Sequence, residues 1–298
     1  MKKIYSASIT PFTDESTIDT QSLERLIQFN LSHSIDGFFF LGSMGEWLTL
    51  DDRMKQDLLE AAVEVVDSRA EIIVGISSTG MNGIVSNMEK FSKYDCQAYL
   101  VEFPYGWAQP SNPVSYLHRI ADRSGKPLYL YYVPHKSGIK FSKSQFKALF
   151  SHSNMRGVKN SSDSLKTRKE LLAIREKTDF VLFEGQEWVV DESLALGCDG
   201  AMIGLGSLGS KLFKMIATAV DNGDLDDAHR LQEIAIEVFD GVYGKNLETV
   251  WIGQKYALTL LGILRSCRTL VPANENALRE KDKKRIRACI SKYERYLV

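Results

Sequence analysis

The sequence predicts an α/β fold, a (β/α)8 TIM barrel with a C-terminal helical appendix, on three observations. Eight short apolar runs recur between helix-like segments. The runs start roughly 20–35 residues apart, the size of a βα unit. Most are apolar throughout rather than alternating, as strands are when a parallel sheet is covered on both faces. The 298 residues are enough for one such barrel as a single domain with a sizeable core.

The elements follow in order. The first strand is 4–9, and Leu23, Leu26, Ile27 and Leu31 then make one apolar helix face. The second strand is 38–41. Thr49 and Asp52 fit an S/T-x-x-D/E helix start, with Met54, Leu58, Ala61, Ala62 and Val65 following at helical spacing. Strands follow at 72–76, 98–103 and 128–133. Ser142 and Gln145 form a capping box ahead of Phe146, Leu149 and Phe150. The last strands are 155–158, 180–183 and 201–203. Beyond Ser207 the pattern is wholly helical, over 208–222, 225–240, 247–264 and 276–296. The last three helices exceed what a barrel needs, which divides the chain into a barrel (1–222) and an appendix (223–298). Each apolar stripe reads as core packing. The competing arrangement is an open doubly wound sheet, which usually carries a G-x-G-x-x-G turn after an early strand. Gly42-Ser43-Met44-Gly45 does not match that pattern, and no P-loop is present.

With 37 basic and 38 acidic residues the formal net charge is −1, which argues against a nucleic-acid-binding surface. The cysteines Cys96, Cys198, Cys267 and Cys289 have no metal spacing and read as reduced thiols of a cytoplasmic protein. Polar Ser6, Ser8 and Thr10, then Asp14-Glu15, break up any signal-peptide core after Lys2-Lys3. No apolar run approaches the ~20 residues of a membrane span.

In such a barrel the chemistry sits at the carboxyl ends of the strands and in the loops that follow. This filter singles out Gly42-Ser43-Met44-Gly45-Glu46, Tyr131, Lys159 and the segment Glu184-Gly185-Gln186-Glu187-Trp188. A lysine at a strand end inside a barrel mouth is desolvated, which lowers its pKa and frees an amine to attack a carbonyl. The Gly-Ser-Met-Gly turn can offer backbone N–H groups to a carboxylate. Each piece alone has an ordinary explanation: a solvated lysine, a packed aromatic, a tight turn.

Together the pieces resemble the pyruvate-dependent class I aldolase family of dihydrodipicolinate synthase and N-acetylneuraminate lyase. The resemblance rests on Ile9-Thr10-Pro11-Phe12, Gly42 to Glu46, Tyr131-Tyr132-Val133-Pro134 with Ser137-Gly138, Gly157-Val158-Lys159 and Gly197-Cys198-Asp199-Gly200. It implies that Lys159 forms a Schiff base with a 2-keto acid, that Tyr131 moves protons and that Ser43 relays them. It further implies a carboxylate site on the backbone of Ser43, Met44 and Gly45, no cofactor and no metal. Pyruvate and an aldehyde would be the partners, in a homotetramer. Ser161, Gly185, Glu187, Lys136 and Ile203 fall at positions expected to line the substrate site.

The departures bear on the subfamily. Met44 stands where the family usually has a second hydroxyl residue. The synthases carry an arginine after the YNVP-like motif; here the segment is His135-Lys136-Ser137-Gly138. Lysine lacks the planar fork that grips a second carboxylate in two places. The tyrosine pair that the synthases exchange between subunits is here Tyr105-Gly106. Gln28-Phe29-Asn30, Ile35-Asp36-Gly37 and Ser161 look closer to the lyase, but the lyase's acidic pair after the seventh strand is here Glu187-Trp188. Trp47, Trp107 and Trp188 fall in mouth loops, where they would either stack on an aromatic aldehyde or seal subunit contacts. The expected function is therefore cleavage or formation of a C–C bond between pyruvate and an aldehyde. Dehydration of a 2-keto-3-deoxy sugar acid, or a hydratase-aldolase reaction on an aryl substrate, is the alternative, dihydrodipicolinate synthesis is disfavoured, and a keto-acid-binding regulatory barrel is the non-enzymatic reading. A metal-dependent class II aldolase would need a histidine cluster at the strand ends, which the sequence does not place there.

Overall fold

Eight parallel strands close into a barrel in sequence order: β1 (Lys3–Ala7), β2 (Gly37–Phe40), β3 (Glu71–Gly75), β4 (Ala98–Val101), β5 (Leu128–Tyr132), β6 (Met155–Asn160), β7 (Val181–Glu184) and β8 (Gly200–Ile203). The computed structural model describes residues 1–104, 109–274 and 278–298. Closure is made by β8 against β1, from Lys3 opposite Gly200 to Ser6 opposite Ile203.

The apolar runs conceal a strict alternation. Tyr5, Ala7, Phe39, Ile73, Ala98, Leu100, Tyr131, Val133, Phe183 and Met202 pack together inside the barrel. Their neighbours Ile4, Phe38, Phe40, Ile72, Val74, Tyr99, Val101, Leu130, Val158, Leu182, Ala201 and Ile203 join the layer between strands and helices. Both faces are apolar because both are covered, so the period of two is invisible to hydropathy alone. Bulk inside the lumen demands gaps elsewhere. A Cβ on Gly157 would lie 2.8 Å from the Tyr129 ring, so the inward position of β6 just below Lys159 is left without a side chain.

The strands are linked by α1 (Thr20–Ser32), α2 (Asp52–Val66), α3 (Met81–Phe91), α4 (Pro113–Ala121), α5 (Pro134–Ser137), α6 (Lys143–Leu149), α7 (Leu165–Arg175), α8 (Val190–Ala195) and α9 (Gly206–Asp221). The capping box at α6 is present: Ser142 Oγ accepts from the Gln145 N–H (3.3 Å) and Gln145 Oε1 accepts from the Ser142 N–H (2.9 Å). The expected start at Thr49 is not the cap of α2. Asp51 takes that role, accepting from the Met54 N–H at 2.8 Å. The Thr49 hydroxyl is spent on the Glu46 carbonyl at 2.8 Å, inside a single 3-10 turn, Trp47–Thr49.

The appendix is α10 (Leu225–Tyr243), α11 (Val250–Leu260) and α12 (Glu280–Leu297). It reaches the loops at the carboxyl ends of the strands. Trp251 Nε1 donates to the Ser43 carbonyl (2.9 Å), Gln254 Nε2 to the Gly204 carbonyl (3.1 Å) and Gln232 Nε2 to the Glu187 carbonyl (2.7 Å). Lys255, fully buried, ion-pairs with the equally buried Glu46 and donates to the Arg268 carbonyl at 2.8 Å. The second Glu46 oxygen accepts from Thr269 Oγ1 (2.8 Å) and the Leu270 N–H (2.7 Å). Among the described residues no helix is long and apolar enough to cross a membrane.

Removing one partner of such a pair strands a buried charge and costs about 3–5 kcal/mol. Lys255→Met should therefore destabilise the fold by an amount of that order, seen as a lower urea midpoint, and adding Glu46→Gln should recover part of the loss. An unchanged midpoint in Lys255→Met would show that the pair does not tie appendix to barrel.

Candidate active site

The alternation that builds the lumen also delivers the site. On β5, β6 and β7 the register places Tyr131 beside Lys159 and Lys159 beside Phe183, at one level near the carboxyl end. All three point inward, because inward and outward positions alternate. Lys159 is 4% exposed. Its Nζ lies 4.5 Å from the centre of the Tyr131 ring and 5.4 Å from that of Phe39. Gly185 makes room for it: a Cβ there would fall 2.1 Å from Ser161 Oγ and 3.1 Å from Lys159 Cε.

Burial dominates the electrostatics of this lysine and lowers its pKa to about 8. Glu187, Glu102 and Glu184 favour the cation, while Lys136 disfavours it. Burial likewise pushes the Tyr131 phenol up, with Glu102 and Glu187 reinforcing the shift and hydrogen bonds from Ser43 and Ser161 opposing it. Tyr131 thus holds its proton at neutral pH, while the amine beside it gives one up readily.

The loop after β2 turns on two left-handed residues, Leu41 (φ 59°) and Glu46 (φ 58°). Its carbonyls are engaged from outside: Ser43 O by the Glu46 N–H (3.1 Å) and by Trp251, Gly45 O by Thr10 Oγ1 (2.7 Å). Among the described residues the N–H groups of Ser43, Met44 and Gly45 have no protein acceptor. Successive free amides of this kind are the donors an anion can use. Lys136 stands at the rim on α5, with Nζ 3.0 Å from Ser43 Oγ.

The loop after β7 divides two carboxylates. Glu184 follows inward-facing Phe183 and so turns outward. There it is fully buried and accepts from Arg168 Nε (2.7 Å), Ser193 Oγ (2.8 Å) and the N–H groups of Gly185 and Gln186 (2.9 and 3.0 Å). Glu187 turns to the mouth, where Oε1 accepts from the Gly204 and Leu205 N–H groups at 2.7 and 3.1 Å. Burial raises its pKa, and Lys159 is the strongest influence against that rise. The Met44 side chain and Glu187 Oε1 both crowd Gly204, whose added Cβ would lie 2.9 Å and 2.8 Å from them. Ser161 Oγ donates to the Gly185 carbonyl at 3.3 Å.

The structure thus brings together Lys159, Tyr131, Ser43, Met44, Gly45, Ser161, Gly185, Glu187 and Lys136. Ile203 is different: its side chain packs in the outer layer and Met202 faces the lumen. Trp47 is buried, donating from Nε1 to Glu102 Oε1 at 3.1 Å. Trp188 is half-exposed, donating to Asp163 Oδ1 at 3.2 Å, with its ring edge against Phe239. Trp107 and the pair Tyr105-Gly106 lie outside the described residues. Glu102 is a site residue that the sequence reading passed over. A lone acid inside the run 98–103 was the available signal: it follows Val101, which faces outward, and so turns to the lumen side. Among the described residues no three His, Cys, Asp or Glu side chains group as a metal-binding set.

The sequence profile of the Dihydrodipicolinate synthetase family matches residues 1–292. The chain belongs to that family. Curated relatives carry two names within it. A 4-hydroxy-tetrahydrodipicolinate synthase of Thermosipho africanus is 26% identical over 283 residues, covering 93% of this chain and 94% of the relative. An N-acetylneuraminate lyase of Escherichia coli is 27% identical over 257 residues, covering 84% and 86%. Among solved structures, the dihydrodipicolinate synthase of Thermotoga maritima superposes with a TM-score of 0.90 at 20% identity, covering 99% of each chain. A prophage protein of the dihydrodipicolinic acid synthase family from E. coli K12, solved with pyruvate, gives 0.88 at 22% identity, covering 100% and 99%. These structures share the fold, and the near-equal identities to a synthase and a lyase leave the substrate to the site itself.

The depressed pKa has a stability consequence of definite sign. The unfolded lysine keeps its proton to about 10.5 and the folded one only to about 8. Between those values the unfolded chain binds more protons, so Lys159 makes stability rise with pH. Lys159→Met should stabilise the protein at pH 7 by up to about 3 kcal/mol, since one pKa unit is about 1.4 kcal/mol. That gain should shrink towards pH 10. An equal gain at both pH values, measured by urea unfolding, would mean that Lys159 is not held near neutrality.

Proposed function

We propose that this protein is a Schiff-base-forming lyase or aldolase that makes or breaks a C–C bond between pyruvate and an aldehyde. The observation that carries the reading is the buried amine of Lys159, its pKa lowered to about 8, beside a protonated phenol and below a turn with three free amides. Neutral Nζ attacks the 2-keto carbon, and the carbinolamine loses water to give a protonated imine. In cleavage the electrons of the C3–C4 bond move into that iminium as an enamine, the C4 hydroxyl gives up its proton and the aldehyde departs. C3 then takes a proton, and hydrolysis releases pyruvate and the free amine. Tyr131 is the group placed to give and take these protons. The amides of Ser43, Met44 and Gly45 would hold the carboxylate of the keto acid. The iminium is the electron sink, so the reading calls for no cofactor.

The aldehyde subsite favours a partner without a second carboxylate. Lys136 offers a point charge in place of a bidentate fork and is already engaged with Ser43. Glu102 and Glu187 place two carboxylates around the amine, so a second anion on the aldehyde meets repulsion. Met44 removes a hydroxyl and narrows the mouth beside Gly204. Glu187 has one oxygen committed to backbone amides, which leaves one for a substrate hydroxyl. A cytoplasmic homotetramer is the assembly that family membership suggests for such an enzyme.

Incubation with pyruvate and borohydride should add one reduced pyruvate to the peptide containing Lys159, and Lys159→Ala should abolish both trapping and turnover. Labelling elsewhere, or none, would sink the assignment. Tyr131→Phe should lower turnover by about 10²–10⁴-fold, the usual worth of general acid–base catalysis. The rate of trapping should rise with pH and level off above about 8. For specificity, kcat/KM for pyruvate plus aspartate semialdehyde should fall below that for cleaving a neutral-aldehyde adduct such as N-acetylneuraminate or 2-keto-3-deoxygluconate. A tenfold preference for the semialdehyde would overturn the reading of the subsite.

A further inference from the structure

The hydrogen bond between Lys136 Nζ and Ser43 Oγ, at 3.0 Å, has a direction. An ammonium has three donors and no acceptor, so it must donate, and the serine oxygen must accept. The Ser43 proton is then left to point elsewhere. The Tyr131 hydroxyl is its hydrogen-bonded neighbour, with Ser161 on the other side. Ser161, whose Oγ also lies 3.3 Å from the Gly185 carbonyl, is the second hydroxyl that favours the phenolate. Ser43 is thus the neighbour of Tyr131 that Lys136 can polarise. Lys136 is exposed at the rim, so the chain Lys136, Ser43, Tyr131 runs from solvent to the phenol beside Lys159.

We propose that Lys136 is a positioning residue that polarises the proton relay: by donating to Ser43 it turns the Ser43 proton towards Tyr131, and it resupplies that proton from solvent. The inference rests on the Schiff-base reading of Lys159. When Tyr131 protonates the departing hydroxyl of the carbinolamine, water leaves, Ser43 passes its proton to Tyr131 and Lys136 passes one to Ser43. The resulting neutral Lys136 amine regains a proton from solvent, so the cycle consumes none. The charged groups facing Lys136 are Glu102 after β4, Lys159 on β6 and its neighbour His135. Glu102 favours the ammonium form, the form that must donate, and Lys159 is positioned to feel the same charge.

The test uses the whole enzyme with pyruvate alone, so that the unidentified aldehyde is not needed. Two quantities are read: the extent of borohydride trapping at saturating pyruvate, and the kcat and KM for exchange of the pyruvate C3 protons in deuterated water. Lys136→Met should still trap to completion on Lys159, with kcat for exchange about tenfold to a hundredfold lower, the usual scale for one charge-assisted hydrogen bond, and KM changed much less. Lys136→Arg, which keeps a charged donor but cannot release a proton, should restore the share of kcat that orienting Ser43 supplies, more than Lys136→Gln does. Lys136→Gln, which keeps a donor without a proton to give, should restore only part. A rise in KM at unchanged kcat would make Lys136 a substrate-carboxylate anchor and overturn the proposal. Equal rates in the Met, Gln and Arg variants would overturn it as well. Failure of the wild-type enzyme to trap pyruvate would refute the Schiff-base reading itself, an outcome distinct from both.

Discussion

The site depends on a contact made far from it in sequence. Glu46 ends the turn that leaves three amides free, and it occupies a left-handed conformation that a side chain adopts at some cost. What holds it there is Lys255, 209 residues further on, with Thr269 and Leu270 taking the other carboxylate oxygen. Phe12 closes the cation from one side, its ring centre 4.2 Å from Nζ. Desolvating such a pair costs free energy that its mutual attraction barely repays, so a buried ion pair is weak evidence for net stability. Here it fixes a geometry. Remove the appendix and the turn loses Lys255, Trp251 and the segment around Thr269 together.

Two buried lysines make the point by contrast. Lys255 has a carboxylate in contact and a carbonyl at 2.8 Å, so its charge is answered locally. Among the described residues Lys159 has no carboxylate within ion-pair distance of Nζ; its near neighbours are the faces of Tyr131 and Phe39. Ring faces attract a cation, but more weakly than they exclude the water that would solvate it. Burial lowers the pKa of both lysines, but at Lys255 the contacting Glu46 opposes the fall, whereas Lys159 comes down to about 8 with only more distant carboxylates against it. Equal burial thus serves different chemistry, and the difference lies in which partners the fold supplies.

Much of this was legible in the sequence, for a reason that also marks the limit. Strand order, the (β/α)8 period and the mouth loops follow from local patterns: apolar runs, capping residues, a Gly-Ser-Met-Gly turn. Lys159 and Tyr131 could be placed at strand ends by the same means. Their lateral register could not, because it depends on how β5, β6 and β7 slide against one another. Thr49 carried the right residue type for a cap and failed because its hydroxyl closes the preceding turn. Ile203 sat at the right strand end on the wrong face, one residue from Met202, which shows how a single step along a strand exchanges lumen for outer layer. Glu46–Lys255 and Trp251–Ser43 were beyond reach, since no local pattern relates positions more than two hundred residues apart.

The same one-residue alternation explains how the mouth is charged. Glu184 ends β7 and Glu187 lies three residues on, yet the first is turned into the helix layer and neutralised by Arg168, while the second is turned to the amine. Had Glu184 faced inward, Lys159 would have a direct carboxylate and would stay a cation. Arg168 and Ser193 hold it outward, and the Gly185 and Gln186 amides that it also binds start the turn that brings Glu187 round. Glu187 then meets the Gly204 and Leu205 amides, which keep it beside the lysine without letting it close into an ion pair. The Lys159 amine is thus kept clear of a contact ion pair by the pairing of Glu184 with Arg168.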